Sequence, residues 1–335
     1  MLRPIQLFAR ECVFPTISAL RLQKLLWKDH GKIQVLMYHG VNATGDTSIN
    51  GRHISAKRFE KHLIYLHRNF EVLSLADSFL QVGHPANGKP RVAITFDDGF
   101  ENNLIYAAPL LKKYNLPATF FISSICVTGE ADILWADVVD LVLRGNDSVT
   151  AGGLDFVKSS LGCFNEKLGK TLQQHIKEQD CEERDAIILE LSERYNLESK
   201  KQAINPENWK MMTPKQLKEL SKFPEVEIGS HCHNHYNLAS LSEENALDEL
   251  KKSKKLLEDC IEKPVTSVAF PDGSYSERVK QQAKDVGYDK LCAVTFKLAD
   301  DQNDRTIVRR SSVSATTNYY SNIIHFHKLF KKDGN

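Results

Sequence analysis

The feature that most constrains the fold of this chain is an alternation of short apolar runs with segments of helical periodicity, which begins at Ile33. Such alternation is typical of βα units around a parallel sheet. A length of 335 residues with 41% hydrophobic side chains allows one large core. We therefore predict an α/β fold with strands near 33–39, 70–74, 91–96, 118–122, 226–230, 266–270, 290–294 and 306–310.

Two helices and one insertion complete this outline. One helix begins at Thr213-Pro214-Lys215-Gln216, where the threonine can cap, the proline suits the first helical position and the glutamine completes a capping box. Another runs from about Ser242 to Ile261, with apolar residues at helical spacing. Between about 145 and 209 the alternation stops, and we predict a mostly helical insertion. In α/β barrels such insertions shape the active-site mouth. This one either selects the substrate or decorates the surface.

Two adjacent carboxylates stand at the end of one apolar run. Thr95-Phe96-Asp97-Asp98-Gly99 follows Val92-Ala93-Ile94. Burying two carboxylates side by side is costly unless a cation or a shared proton is present. Because side chains diverge at the end of a strand, Asp97 and Asp98 can serve different partners around one centre. The pair suits one metal ligand and one base, although Asp-Asp-Gly is also common in plain surface turns.

A histidine cluster follows a second apolar run. Gly229-Ser230-His231-Cys232-His233-Asn234-His235 comes after Val226-Glu227-Ile228. Catalytic zinc sites usually take three protein ligands and leave one position for water, and Asp98, His231 and His235 meet that requirement. The spacing alone leaves His233 undecided, because residues 231, 233 and 235 share a face in an extended chain. Both clusters would lie on the carboxyl face of a parallel sheet. We predict one divalent metal ion, with zinc as the default and cobalt, nickel or iron as alternatives.

Composition narrows the class of protein and its location. The formal net charge is +1 with mixed signs along the chain, which argues against a nucleic-acid binder. Seven scattered cysteines without a CxxC pair fit reduced thiols, so we expect a cytoplasmic protein. Residues 1–28 show no signal-peptide pattern. Leucines and basic residues interleave there, which predicts an amphipathic helix that covers the barrel end or makes peripheral membrane contact.

Several motifs together resemble the polysaccharide deacetylase family, carbohydrate esterase family four. The first two are the TFDDG sequence at 95–99 and the HCHNH sequence at 231–235. Val35-Leu36-Met37-Tyr38-His39-Gly40-Val41 resembles the opening strand of the branch that includes exopolysaccharide and poly-N-acetylglucosamine deacetylases. Pro117-Ala118-Thr119-Phe120-Phe121 resembles the strand that follows the first motif. Ala269-Phe270-Pro271-Asp272-Gly273-Ser274-Tyr275 resembles the third motif. The ordered set covers about 33 to 310 and is far more specific than any single motif.

The resemblance implies a distorted (β/α)7-type barrel, one divalent metal and removal of an N-acetyl group from a sugar. It implies that Asp97 is the base, that Asp98, His231 and His235 are the metal ligands, and that the backbone N–H of Asp272 holds the oxyanion. The domains would be an N-terminal helical segment at 1–30, the barrel at 31–315 with its insertion at about 145–209, and a C-terminal helix at 316–335.

The chain departs from the family pattern at two places. Ala269 stands where the third motif often carries an arginine that pairs with the catalytic aspartate, and Arg309 or Arg310 is the candidate replacement. The fifth motif, which normally supplies a histidine acid, has no clean copy. His39, at the end of the first strand, is the candidate acid or a histidine hydrogen-bonded beneath the site. Trp135 is either a sugar-facing wall or a core residue.

These observations predict a metal-dependent hydrolase that removes an N-acetyl group from an amino sugar, using metal-activated water and an aspartate base. The expected substrate is an N-acetylated saccharide, lipid-linked or nucleotide-linked, and O-deacetylation is a related chemistry. The alternative is a catalytically silent glycan-binding protein that retains the deacetylase fold, which the two departures motivate. A membrane-surface scaffold that uses residues 1–28 is a third hypothesis.

Overall fold

A computed structural model of the chain describes residues 33–80, 88–160 and 162–330. Its strands are β1 (Ile33–Tyr38), β2 (Val41–Asn42), β3 (Ile54–Ser55), β4 (Glu71–Leu73), β5 (Arg91–Phe96), β6 (Ala118–Ile122), β7 (Ser148–Ala151), β8 (Leu154–Ser159), β9 (Gly162–Asn165), β10 (Lys170–Thr171), β11 (Val226–Ser230), β12 (Ser267–Ala269), β13 (Lys290–Ala293) and β14 (Ile307–Ser312). Its helices are α1 (Ala56–Asn69), α2 (Leu75–Leu80), α3 (Ala108–Tyr114), α4 (Trp135–Leu143), α5 (Leu172–Lys177), α6 (Cys181–Arg194), α7 (Leu197–Ala203), α8 (Pro214–Leu220), α9 (Glu243–Ile261), α10 (Glu277–Asp285) and α11 (Tyr319–Lys328).

Seven parallel strands form a closed barrel in the order β1, β5, β6, β11, β12, β13, β14. β1 closes it, because it pairs with β5 from Ile33↔Arg91 to Tyr38↔Phe96 and also with β14 at Val35↔Arg310. β4 pairs with the first half of β5, outside the ring of seven strands. The predicted (β/α)7-type barrel is therefore confirmed, and each predicted strand position is occupied by a strand.

The two best-marked helices begin where the sequence predicts. Thr213 and Gln216 form the expected capping box at the start of α8, which satisfies backbone N–H groups that have no partner within the helix. The Ser242 side chain caps α9. The inward faces of both helices are buried; they include Leu217, Leu220, Leu250, Leu257 and Ile261. These faces cover the outside of the barrel, as the 3.6-residue period requires.

The insertion has a hydrophobic core of its own. Its second half carries α5, α6 and α7, as the helical prediction requires, whereas its first half is a four-stranded antiparallel sheet in the order β10, β9, β8, β7 that was not predicted. The core begins with Ile133 and Trp135 and ends with Trp209. The α4 helix therefore packs with the insertion and precedes the predicted start at 145.

The remaining predicted segments lie at the two ends of the chain. The N-terminal segment at 1–30, with its proposed membrane contact, lies outside the described residues. Within the predicted 316–335 segment, α11 packs on α1, where the Tyr65 hydroxyl and His327 Nε2 lie 2.9 Å apart. None of the helices in the described ranges has the length and apolar character needed to span a membrane.

Candidate active site

A cavity of about 290 Å³ lies at the carboxyl ends of the barrel strands. Polar side chains gather there because the carboxyl ends of parallel strands meet at one face of a barrel. Seven of the eight site residues predicted from the sequence line this cavity: His39, Asp97, Asp98, His231, His235, Asp272 and Arg310. Arg309 is exposed on the other face of β14. The structure therefore brings together residues from five barrel strands or the turns that follow them.

Asp98, His231 and His235 form a compact, buried set of metal-binding groups. Their candidate ligand atoms all lie within 4.8 Å of one another. Asp98 Oδ1 lies 3.6 Å from His231 Nε2 and 3.4 Å from His235 Nε2. This oxygen is buried and has no hydrogen-bond partner among the residues that the structure describes. A buried carboxylate oxygen that faces two imidazole nitrogens fits a divalent transition metal.

The two histidines are oriented by the backbone around them. His231 Nδ1 lies 2.7 Å from the Ala269 carbonyl oxygen, which fixes the tautomer that leaves Nε2 free as a ligand. Burial lowers the pKa of His231 to about 4, so the ring is neutral at physiological pH. The Trp135 indole N–H donates to the His235 carbonyl oxygen at 3.1 Å. His235 has a φ of 57°, and such strained backbone is common at functional sites.

His233 takes no part in this cluster, which answers the question that its spacing left open. Its Nδ1 lies 2.9 Å from the Ser124 hydroxyl, and it does not line the cavity. Burial lowers the pKa of His233 to about 4. Within the described residues, His233 therefore joins the loop at 231–235 to the segment after β6.

Arg310 holds Asp97 through a two-pronged ion pair. Its Nη1 donates to Asp97 Oδ1 at 2.5 Å and its Nη2 donates to Oδ2 at 2.8 Å. Both side chains are almost completely buried. Burial raises the pKa of Asp97, but Arg310 and neighbouring imidazoles outweigh it and the net pKa lies below the usual value. Asp97 is therefore ionised at neutral pH, and β14 supplies the cation that the Ala269 position lacks.

Arg52 is a site residue that the sequence analysis missed. Its Nη1 donates to Asp98 Oδ2 at 2.9 Å, and its Nη2 donates to Asp137 Oδ1 at 2.5 Å. Asn50 Oδ1 accepts from Arg52 Nε at 3.1 Å. Burial raises the pKa of Asp98, yet Arg52 and His235 hold it well below its ordinary value. No motif marks Arg52, because it lies in the loop between β2 and β3.

Asp272 stands in a tight turn after β12. Its φ is 55°, and the Gly273 N–H donates to the Phe270 carbonyl at 2.9 Å. Gly273 has a φ of 63°, and a Cβ there would approach Val294 Cβ to 2.8 Å. The turn therefore needs glycine at this position for both backbone conformation and space. The Asp272 side chain accepts from Lys177 Nζ of the insertion at 2.5 Å.

His39 and Trp135 both line the cavity. Burial lowers the pKa of His39, against the opposing effects of Asp98 and Asp97, so its ring is neutral in the resting protein. Trp135 is only 8% exposed and belongs to the core of the insertion. It therefore serves both as a core residue and as part of the wall.

Comparison with known proteins agrees with this architecture. The polysaccharide deacetylase family profile matches residues 84–150 and 173–291, more than half of the chain. The chain belongs to the polysaccharide deacetylase family. YxkH of Bacillus subtilis (strain 168), a protein that carries the family's name, is 23% identical over 259 residues. The match covers 77% of this chain and 62% of YxkH, so this chain spans less than two thirds of that relative.

The fold is shared with solved structures, including two that align with most of this chain. The Streptococcus pyogenes deacetylase PplD, determined in complex with acetate, aligns with a TM-score of 0.55 and 18% identity, over 88% of this chain and 97% of PplD. IcaB from Ammonifex degensii aligns with a TM-score of 0.55 and 16% identity, over 89% of this chain and 97% of IcaB. At these identities the likeness concerns the fold.

Proposed function

We propose that this protein is a metal-dependent hydrolase that removes the N-acetyl group from an amino sugar of a saccharide. One observation carries the proposal: a buried Asp98, His231 and His235 set lies in the same cavity as an ionised, arginine-paired Asp97. Family membership supplies the substrate class, an acetylated saccharide. The site combines the groups that metal-assisted hydrolysis of an amide uses, namely a metal-binding set and a base.

Asp98, His231 and His235 would hold the metal, with zinc as the first expectation and cobalt, nickel or iron compatible with the same ligands. When bound, such an ion polarises a carbonyl and lowers the pKa of water towards neutrality. The neutral His231 ring and Asp98 Oδ1, which has no hydrogen-bond partner among the described residues, are both in the state that binding requires. Arg52 occupies Asp98 Oδ2, which leaves Oδ1 for the ion.

We assign Asp97 as the general base. It is ionised, and Arg310 fixes both of its oxygens, so its direction is set before the substrate arrives. Asp97 would take the proton from the attacking water, and the Asp272 backbone N–H would stabilise the oxyanion. His39 is the candidate for returning a proton to the leaving amine. Its lowered pKa means that it must first take up that proton during the reaction.

Finer features of the substrate and location are proposals that rest on the sequence. The interleaved leucines and basic residues near 20–28 support peripheral membrane contact through residues 1–28. The free thiols of the described cysteines support a cytoplasmic location, where a lipid-linked or nucleotide-linked saccharide would be the substrate. Liposome sedimentation of the full chain and of a chain lacking residues 1–28 tests the contact. Equal sedimentation of the two would contradict it.

Metal content and acetate release measured together test the main proposal. Wild type should hold about one equivalent of a divalent transition metal and release acetate from N-acetylglucosamine oligomers. Asp97→Asn should retain the metal and lose turnover, whereas Asp98→Asn should lose both. Asp259→Asn, an exposed carboxylate on α9, is the matched control and should behave as wild type.

The same measurements separate the alternative function. A silent glycan-binding protein would bind the oligomers without releasing acetate, and Asp97→Asn would leave that binding intact. One observation that motivated this alternative was the alanine at the third-motif arginine position. Arg310 supplies the missing cation to Asp97, so the alanine no longer argues for an inactive site, and the hydrolase is the better-supported function.

A further inference from the structure

The insertion forms one wall of the cavity. Trp135 and Asp140 of α4, together with Gln173 and Lys177 of α5, line it opposite residues of the barrel. Gln173 Nε2 and Asp140 Oδ1 lie 3.4 Å apart, which joins the two helices along this wall. The space next to the metal-binding set is therefore bounded by an element outside the barrel.

One ion pair ties the insertion to the barrel at the mouth of the cavity. Lys177 Nζ on α5 lies 2.5 Å from Asp272 Oδ1 in the turn after β12. The two side chains are 37% and 25% exposed, so the pair lies at the boundary between cavity and solvent. A saccharide chain that continued from the cavity in this direction would have to displace it.

The wall is anchored by packing as well as by charge. Leu172 and Ile176 of α5 are fully buried in the core of the insertion, and Thr171 caps the helix through a capping box. On α6, Arg184 lies with its Cζ 3.6 Å from the ring centroid of Tyr236, the residue after the ligand His235. The buried residues and the cap hold α5 in the core of the insertion, and the Arg184 contact joins α6 to the segment that follows His235.

The volume of the cavity, which is open to solvent on one side, suits one sugar unit. About 290 Å³ lies at the lower limit of small-molecule sites, which span roughly 300–1,000 Å³. Building on the function proposed above, we propose that the insertion restricts this enzyme to a single acetylated sugar unit or the terminal unit of a saccharide. Lys177 and Asp272 close the path by which a neighbouring unit would extend. Lys177 is thus a specificity-determining residue.

A length series of substrates tests this inference. The probes are β-1,4-linked N-acetylglucosamine oligomers of two to six units, given to the metal-loaded full chain, with acetate release measured and deacetylated positions mapped by mass spectrometry. Wild type should modify a terminal unit of the hexamer. Lys177→Ala should modify internal units and raise the hexamer-to-dimer ratio of kcat/KM by about tenfold. Lys177→Arg keeps the pair and should behave as wild type.

The control and the contrary outcomes are distinct. Lys170→Ala removes a surface ion pair with Glu178 just before the same helix and should leave the ratio unchanged. A merely structural role of Lys177 would lower kcat/KM equally for all lengths. An unchanged ratio in Lys177→Ala, or internal deacetylation by wild type, would overturn the inference and leave the proposed function standing. No acetate from any length with wild type would overturn the proposed function and this inference with it.

Discussion

Removal of the Arg310 guanidinium should destabilise the protein and disable Asp97 at the same time. Arg310 and Asp97 are only 1% and 3% exposed, so water cannot replace the cation. Arg310→Met keeps an unbranched side chain and deletes both hydrogen bonds to the carboxylate. Without the opposing effect of the Arg310 cation, burial raises the pKa of Asp97. This favours the protonated form, which cannot act as a base.

The expected loss of stability follows from the burial of the pair. Removing one partner of a buried ion pair costs about 3–5 kcal/mol, because the remaining charge is buried without compensation. The double variant Arg310→Met/Asp97→Asn removes both charges. It should recover about 2 kcal/mol or more of the loss, yet it should show no turnover because the base is absent.

Urea unfolding of the metal-free protein at pH 7, followed by circular dichroism, measures these free energies. Arg309→Met changes the exposed neighbouring arginine and should shift the free energy of unfolding by no more than about 0.5 kcal/mol. If Arg310→Met is as mild as Arg309→Met, the pair does not carry the stability assigned to it. If the double variant is no more stable than Arg310→Met, the cost does not come from an unpaired charge.

Three further expectations concern other parts of the molecule. Gly273→Ala should cost about 2–3 kcal/mol in urea unfolding, because its φ is 63° and an added Cβ would lie 2.8 Å from Val294 Cβ. Gly129→Ala, with a φ of 76° and open space around the added Cβ, should cost only about 1 kcal/mol; equal losses would contradict the steric argument. Burial lowers the pKa of His62 to about 3, so the folded protein favours the neutral ring. The free energy of unfolding should therefore be highest above the unfolded pKa of about 6.5 and should fall as the pH drops from there to about 3, by roughly 4–5 kcal/mol at most. His62→Gln should flatten that part of the curve of unfolding free energy against pH, and a curve parallel to wild type would refute this. Zinc at 100 times its Kd should stabilise wild type by about 2.7 kcal/mol and should leave Asp98→Asn unchanged in thermal unfolding; stabilisation of that variant would place the ion elsewhere.

The barrel and the candidate metal site could be predicted because short stretches of sequence mark each of their parts. Most barrel strands contain a short apolar run, and Asp97-Asp98 and His231 directly follow β5 and β11. Since the strands are parallel, position at the end of a run fixes the face on which a side chain lies. The role of His233 needed the structure, because three histidines at alternate positions fit either an extended or a turned backbone.

The sequence contains a hairpin pattern for the antiparallel sheet of the insertion, although the segment was predicted to be mostly helical. Gly152 and Gly153 have φ values of 56° and 73° and join β7 to β8, which pair directly across them. A Gly-Gly pair between two short alternating runs is a typical hairpin turn. The charged helical stretch that follows dominated the sequence pattern.

The roles of Arg310 and Arg52 could not be predicted from neighbouring residues in the sequence. Arg309 and Arg310 are adjacent on β14, and a shift of one residue in register would exchange the faces on which they lie. The pairings of Arg310 with Val35 on one side and of Arg309 with Ala293 on the other turn Arg310 towards Asp97. Arg52 comes from a loop without periodicity and reaches Asp98 only after the barrel has closed. Each of the two adjacent carboxylates therefore has its own cation from a distant part of the chain, which explains how both are buried while Asp98 Oδ1 stays available for a metal.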